Sequence, residues 1–156
     1  SNDWYYEQQL LGFNYRMTDL QAALGTSQMS RIDHFVAKRN ELAQRYKTQL
    51  AGLPLDLTED SKDAISSYHL YIVKLKNSSQ ICRRELYDGL RNSDIGVNVH
   101  YIPVHLQPYY KKMGFSVGDF PQAERYYRKA ISLPLHPNLT FSDQDYIVQK
   151  VSELFA

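Results

Sequence analysis

The sequence predicts an α+β fold in which helices pack on a small, mostly antiparallel sheet. Residues 30–50 repeat apolar side chains every three or four positions, as one buried stripe of a helix does. Residues 67–76 alternate along their length and are apolar on both faces at first, which is typical of a central strand. Because two or three such strands occur among helices, the predicted architecture is an open α+β sandwich.

The composition is that of one globular domain with a core. The 156 residues are 43% hydrophobic and 22% charged, and the formal net charge is +1. Charges of both signs are interspersed, so we expect neither nucleic acid nor an anionic membrane surface as a partner. Cys82 is the only cysteine, which excludes an internal disulfide and fits a reducing, cytoplasmic compartment. No signal peptide and no apolar run of membrane-spanning length is present.

The first helix is predicted at residues 18–29, and its start is the clearest local signal. Thr18 and Gln21 form a capping-box pattern, in which each side chain can bond the other residue's backbone N–H. Such a helix end suits an anion such as phosphate, because its N–H groups are unpaired and partly positive. Asn14 and Arg16 lie in the irregular segment leading into it. The residues alone leave two interpretations open: an anion site, or a loop with a solvated Arg16 before a capped helix.

In the rest of the chain, glycine and proline residues mark the ends or the starts of several predicted elements. Gly52 and Pro54 end the second helix at residue 50. Pro103 stops a strand because proline cannot donate to a ladder, and Pro121 opens a helix. Ser142 is predicted to cap the last helix. The predicted elements after residue 50 are strands at 55–57, 67–76, 95–102 and 131–135, and helices at 80–91, 107–112, 121–130 and 143–155.

The histidines indicate no metal site. Five are present, and none pairs with a cysteine or a carboxylate at metal-ligand spacing. His100 and His105 form a weak pair, and Pro103 between them leaves their faces undetermined. They would be equally ordinary as core or strand-end histidines. No Ser-His-Asp arrangement, P-loop or G-x-G-x-x-G motif is visible.

Three stretches resemble the signature stretches of a known family. Residues 12–25 read Gly-Phe-Asn-Tyr-Arg-Met-Thr-Asp-Leu-Gln-Ala-Ala-Leu-Gly, residues 99–105 read Val-His-Tyr-Ile-Pro-Val-His, and residues 131–140 read Ile-Ser-Leu-Pro-Leu-His-Pro-Asn-Leu-Thr. Together, and in this order, they resemble the DegT/DnrJ/StrS sugar aminotransferases. These are pyridoxal-phosphate enzymes of the aspartate aminotransferase fold.

The resemblance implies that the chain is the C-terminal portion of such an enzyme. In the family, the Schiff-base lysine lies upstream of the stretch that residues 12–25 resemble. None of the nine lysines here matches the motif of that lysine. Residues 1–29 would then lead from a missing large domain, and residues 30–156 would form the small C-terminal α+β domain. We expect this portion by itself to be inactive.

The resemblance also implies specific site residues. Asn14 would bind the phosphate of pyridoxal phosphate in the neighbouring subunit of a homodimer with shared active sites, with Arg16 nearby. An Asn amide is a neutral donor, which suits a phosphate that needs donors in fixed places. The implied substrate-binding residues are Tyr15, His100, Tyr101 and His105.

The implied reaction passes an amino group from glutamate, through the cofactor, to a nucleotide-linked 4-keto-6-deoxy sugar for bacterial surface-glycan or flagellin sugar biosynthesis. Residues 100–110 most resemble the pseudaminic-acid branch, which aminates a UDP-linked sugar; perosamine- and bacillosamine-type relatives are close competitors. Two alternatives remain: a non-catalytic sugar-nucleotide-binding or dimerisation module of the same fold, and a pyridoxal-phosphate-type sugar dehydratase in which His replaces the lysine. An upstream residue distinguishes them.

Overall fold

The computed structural model describes residue 10, residues 12 and 13, and residues 15–156. It separates into two compact units, the first ending at Asp33 and the second running from His34 to Ala156. The predicted division into residues 1–29 and 30–156 stays a prediction. Asn14 lies outside the described residues.

Six α-helices and three β-strands are present in the described part of the chain, with a short 3-10 helix at Val104–Leu106. The helices are α1 (Asp19–Met29), α2 (Ile32–Gln49), α3 (Arg83–Asn92), α4 (Pro108–Lys111), α5 (Pro121–Lys129) and α6 (Phe141–Glu153). The strands are β1 (Leu55–Asp56), β2 (Tyr71–Leu75) and β3 (Ala130–Leu133).

The predicted capping box at the start of α1 is confirmed. The Gln21 N–H donates to Thr18 Oγ1 at 3.3 Å, and the Thr18 N–H donates to Gln21 Oε1 at 2.9 Å. All residues of α1 are exposed. Burial of an apolar face within the described unit therefore does not explain why this helix forms. The capping box agrees with the observed start of the helix.

The sheet is antiparallel, in the order β1-β2-β3. Leu55 pairs with Leu75, and Tyr71 pairs with Leu133. The central position of β2 confirms the interpretation of the segment that is apolar on both faces.

The core lies on the face of the sheet where Tyr71, Val73 and Leu75 point, since alternate strand residues share a face. All three are buried. The helical residues that are buried in the same cluster are Leu42, Ala43, Tyr46, Leu86, Leu90, Ile147 and Val151. Each Leu, Ile or Val side chain among them, when fully buried, contributes about 1.5–3 kcal/mol to folding. Helices α2, α3 and α6 therefore form one layer and the sheet the other.

The predicted stripe of the second helix is buried only in its C-terminal half. Leu42 and Tyr46 are fully buried, whereas Ile32 is 41% exposed and Phe35 is half-buried. Gln144 of α6 fixes this half, because its Nε2 donates to the Leu42 carbonyl at 2.7 Å. The contact joins α2 and α6 across 102 positions of sequence.

One predicted strand is absent from the described part of the chain, and another is shorter than the sequence indicated. Residues 95–102 form no strand, and only Asn98 pairs with Ser132 in an isolated bridge. The strand predicted at 67–76 begins at Tyr71, because Tyr68 adopts φ +43°, which extended backbone does not allow. Alternating apolar residues at 95–102 mark burial of Ile95 and Val97, not a ladder.

The predicted starts of two helices were wrong. Helix α3 begins at Arg83, after the Cys82 N–H has bonded to Glu85 Oε2 at 2.7 Å. Helix α6 is capped by Thr140, not Ser142: the Asp143 N–H donates to Thr140 Oγ1 at 3.1 Å, and the Thr140 N–H donates to Asp143 Oδ2 at 3.3 Å. Thr140 and Asp143 complete a reciprocal box, whereas Asp145, three residues after Ser142, accepts hydrogen bonds from Arg45 and Gln49 of α2.

Thr140→Ala should destabilise the domain by about 1 kcal/mol, because an N-cap side chain then no longer bonds the first turn. Ser142→Ala removes a hydroxyl of similar size in the same turn and serves as the matched control, with an expected change of less than about 0.5 kcal/mol. Urea unfolding of the two variants measures the difference. Equal losses would contradict the assignment of Thr140 as the cap.

No helix among the described residues combines the length and the hydrophobicity needed to cross a bilayer.

Candidate functional site

The loop that carries His100 and Tyr101 is attached to the edge of the sheet. The Ser132 N–H donates to the Asn98 carbonyl at 2.8 Å, and the Asn98 N–H donates to the Ser132 carbonyl at 3.3 Å. His100 Nδ1 lies 2.8 Å from the Ser132 hydroxyl. The His100 ring is therefore held at β3 by a side-chain hydrogen bond as well as by the adjacent backbone bridge.

Tyr101 presents its ring to solvent. It is 71% exposed, and its ring lies edge-on to that of His100, with 4.6 Å between centroids and an interplanar angle of 89°. This T-shaped arrangement is a favoured geometry for two aromatic rings. The loop thus offers one imidazole and one phenol side by side, groups that can donate or accept hydrogen bonds to the hydroxyl and keto oxygens of a ligand.

His105 lies in a different environment from Tyr101. Its side chain is 6% exposed, and its Nε2 lies 2.9 Å from Glu124 Oε1. Because a carboxylate only accepts hydrogen bonds, the Nε2–H must donate. The same carboxylate oxygen accepts the Gly118 N–H at 2.7 Å. The Gly118 N–H and the His105 ring hold the pKa of Glu124 below its usual range, so Glu124 is ionised near neutral pH.

An apolar cavity of about 370 Å³ lies beside His105. The His105 ring contacts the Phe120 ring, with 4.8 Å between centroids. The cavity walls are the side chains of Val104, His105, Tyr110, Phe115, Phe120 and Ala123. Its chemistry suits a neutral, apolar group and not a phosphate.

The first unit carries the other predicted site residues. Tyr15 is 92% exposed and stacks on Phe13, with 5.5 Å between ring centroids. Arg16 is exposed, and no ion pair joins it to another described residue. Tyr15 and Arg16 belong to the first unit, and His100 and Tyr101 belong to the second.

The start of α1 fits a phosphate group chemically. Arg16 supplies a guanidinium two residues before the N-cap, and the helix end adds partial positive charge. Asp19 adds one negative charge in the first turn, so Arg16 is the cation that would neutralise a phosphate there.

Four of the described lysines are bonded to neighbouring side chains. Lys38, Lys47 and Lys150 make ion pairs with surface carboxylates, and Lys129 donates to Asn77 Oδ1. Among the described residues, no three His, Cys, Asp or Glu side chains come together as a metal site requires.

Two residues near the predicted site were missed by sequence reasoning, namely Ser132 and Glu124. Glu124 lies 19 positions from His105, and Ser132 lies 32 positions from His100. A helix-face glutamate and a strand serine are ordinary by composition. Only the fold, which brings them against the loop, distinguishes them.

Known proteins are similar to this chain in sequence and in fold. The sequence pattern of the DegT/DnrJ/EryC1/StrS aminotransferase family matches residues 1–152. The spore coat polysaccharide biosynthesis protein SpsC of Bacillus subtilis (strain 168) is 38% identical over 160 residues, which cover 99% of this chain and 41% of SpsC.

Solved structures are similar over the same extent. Spr1654 from Streptococcus pneumoniae, in its PMP-form, has a TM-score of 0.87 and 30% identity over 97% of this chain and 38% of its own. Helicobacter pylori PseC, an aminotransferase involved in the biosynthesis of pseudoaminic acid, has a TM-score of 0.83 and 28% identity over 99% of this chain and 42% of its own. The likeness confirms the predicted α+β fold class.

The chain spans 41% of the length of SpsC and 42% of that of PseC, about two-fifths in each case. Within that part the family pattern covers all but the last few residues. The chain belongs to the DegT/DnrJ/EryC1/StrS aminotransferase family.

Proposed function

We propose that the chain is the C-terminal portion of a pyridoxal-phosphate-dependent aminotransferase that aminates a nucleotide-linked keto sugar. The observation that carries the proposal is the family match over residues 1–152. The likeness to a structure in its PMP-form supports the cofactor. When bound, pyridoxal phosphate would carry the amino group between donor and acceptor.

On the cofactor side, Arg16 and the start of α1 would hold the phosphate. An exposed guanidinium beside a helix N-terminus provides the positive charge and the N–H donors that a phosphate dianion needs. Asn14 is proposed as a further phosphate donor by resemblance. In this family arrangement the phosphate belongs to the neighbouring subunit of a homodimer, so each site would use two copies of the chain.

On the substrate side, His100 and Tyr101 would contact the sugar, and Tyr15 is proposed as a further contact by resemblance. Their support is exposure and chemistry: the Tyr101 phenol is open to solvent, and the His100 ring lies against it. The His105 side chain is almost fully buried, so we place it on the buried side of the loop. The groups can orient a sugar by hydrogen bonds to its hydroxyl and keto oxygens.

We further propose glutamate as the amino donor, the cytoplasm as the compartment, and a 4-keto-6-deoxy sugar as the acceptor. PseC supports the pseudaminic-acid branch, at 28% identity. SpsC, at 38% identity, supports a role in polysaccharide biosynthesis.

The first experiment is the visible absorption spectrum of the full-length protein that contains this chain. We expect a yellow protein whose colour bleaches when glutamate is added and returns when a keto sugar nucleotide follows. The same protein without glutamate is the control. A colourless protein that ignores added pyridoxal phosphate would instead support a non-catalytic module, and a histidine in place of the upstream lysine would support a dehydratase.

A further inference from the structure

The loop from His100 to His105 is fastened at both ends to one continuous piece of the fold. Helix α5 ends at Lys129 and β3 begins at the next residue, so the two form one uninterrupted stretch. Glu124 lies on its helical part and Ser132 on its strand part. The loop is thus held at two points by residues only eight positions apart.

The first attachment is His100 to Ser132. The two side chains meet at 2.8 Å, and the adjacent backbone bridge fixes the chain on either side of the contact. Ser132 is 5% exposed. A hydroxyl shielded in this way is held in place by its surroundings, so it can set the direction of the His100 ring.

The second attachment is His105 to Glu124. Glu124 is 5% exposed, and burying a carboxylate is costly unless its charge is well partnered. One of its oxygens accepts from both the His105 ring and the Gly118 N–H, at 2.9 and 2.7 Å. Arg128 approaches the other oxygen at 3.9 Å. The carboxylate therefore ties together the start and the end of residues 105–118.

Between the two attachments most side chains are exposed to solvent. Tyr101 is 71% exposed and Ile102 is 46% exposed, whereas Pro103 is buried. A loop that must be ordered on binding loses affinity through the entropy of ordering, and a loop fixed beforehand avoids that loss. Residues 100–105 therefore form a short loop whose two ends are fixed.

We propose that Glu124 and Ser132 are positioning residues that hold Tyr101 in its binding orientation for the sugar nucleotide. The identity of the ligand rests on the proposed function. The two attachments, His100 to Ser132 and His105 to Glu124, which we call the clamp, do not depend on it. Neither residue needs to touch the substrate: Ser132 acts through His100, and Glu124 acts through His105 and the Gly118 backbone.

The clamp is tested by backbone hydrogen exchange in the full-length protein, without substrate. In Glu124→Ala we expect the amides of Gly118 and Leu106 to exchange about tenfold faster or more, because the Gly118 N–H loses its acceptor and the turn that holds the Leu106 N–H on the Pro103 carbonyl loses the attachment of His105. Glu124→Gln keeps an acceptor oxygen and should restore most of the protection. Arg125→Ala is the matched control, since Arg125 is exposed on the same helix and should leave these amides unchanged. Unchanged exchange in Glu124→Ala would overturn the clamp.

The positioning role is tested by measuring the two half-reactions of these variants separately. In Glu124→Ala and Ser132→Ala we expect KM for the sugar nucleotide to rise about tenfold, while bleaching by glutamate stays within about twofold of wild type. Parallel losses in both half-reactions would mean a merely structural role and overturn the proposal. If the wild-type protein aminates no sugar nucleotide, the proposed function fails, and the exchange experiment still decides whether the clamp exists.

Discussion

Replacing Tyr46 by alanine should destabilise the second unit by about 3–5 kcal/mol, the range for deleting a buried aromatic side chain. Tyr46 is fully buried in α2, and its ring stacks on that of Tyr71, with 4.9 Å between centroids. Its hydroxyl donates to the Pro134 carbonyl at 3.0 Å. The substitution would leave a cavity between α2 and β2 and an unpaired carbonyl. Urea unfolding followed by circular dichroism measures the loss.

Tyr46→Phe separates the two contributions. It keeps the ring and the stacking and removes only the hydrogen bond, so a loss of about 1 kcal/mol is expected. If the alanine variant does not fold at all, Tyr46→Leu gives the cost of losing the aromatic ring at a smaller change of volume. An alanine variant no less stable than the phenylalanine variant would show that the Tyr46–Tyr71 stack does not organise this core.

Signals that lie within a few residues of each other predicted the fold well. The capping box of Thr18 and Gln21 is confirmed at α1, and the helix opened by Pro121 is confirmed as α5. The strand around Tyr71–Leu75 was recognised as central because both of its faces are apolar, and it pairs on both sides. Each of these signals has its physical cause within a single element, so no tertiary contact is needed to interpret it.

Predictions failed where a distant contact decided the local structure. Residues 95–102 alternate like a strand, yet only Asn98 reaches a partner, Ser132, because the loop after it is held at β3 and α5 by side chains. Ser142 is as good a cap by residue type as Thr140. Each has an aspartate three positions later, but Asp145, the partner that Ser142 would need, accepts hydrogen bonds from Arg45 and Gln49 of α2 instead.

The environments of the candidate site residues also depend on distant contacts, so the sequence predicted them less well than it predicted the fold. Resemblance indicated His100, Tyr101 and His105 as a group, and their spacing gave no way to separate them. The structure does so by burial: Tyr101 is 71% exposed and His105 is 6% exposed. Burial depends on Glu124, which lies on another element, so a single sequence read alone could not assign the two residues different environments.

Lowering the pH should destabilise the domain steeply below about pH 4.5. The carboxyl groups whose pKa lies below its usual range in the folded state are those of Asp60, Glu85, Glu124, Asp143, Asp145 and Glu153. A carboxyl group with a depressed folded-state pKa adds stability that is complete above its unfolded-state pKa, near 4. That stability is lost as the pH falls toward the folded-state value. We therefore expect a urea midpoint that is nearly constant between about pH 6 and 7 and falls below about pH 4.5.

Asp60 should account for a distinct share of this loss. Hydrogen bonds from Lys47, Tyr68 and Gln44 hold the pKa of its carboxyl group far below the usual range, and the contacts join the loop after β1 to α2. Asp60→Asn should therefore lower the midpoint near pH 7 and make its fall between about pH 4.5 and 2.5 shallower, because one titrating group has been removed.

Glu59→Gln is the matched control, since Glu59 is exposed in the same loop and makes no ion pair or hydrogen bond with a described residue. It should leave both the midpoint and its pH dependence unchanged. If Asp60→Asn kept the full acid sensitivity of the wild type, the paired loop carboxylate would not contribute to it, and the loss would have to come from the carboxylates on α3, α5 and α6. The comparison thus assigns acid sensitivity to one named contact between α2 and its neighbouring loop.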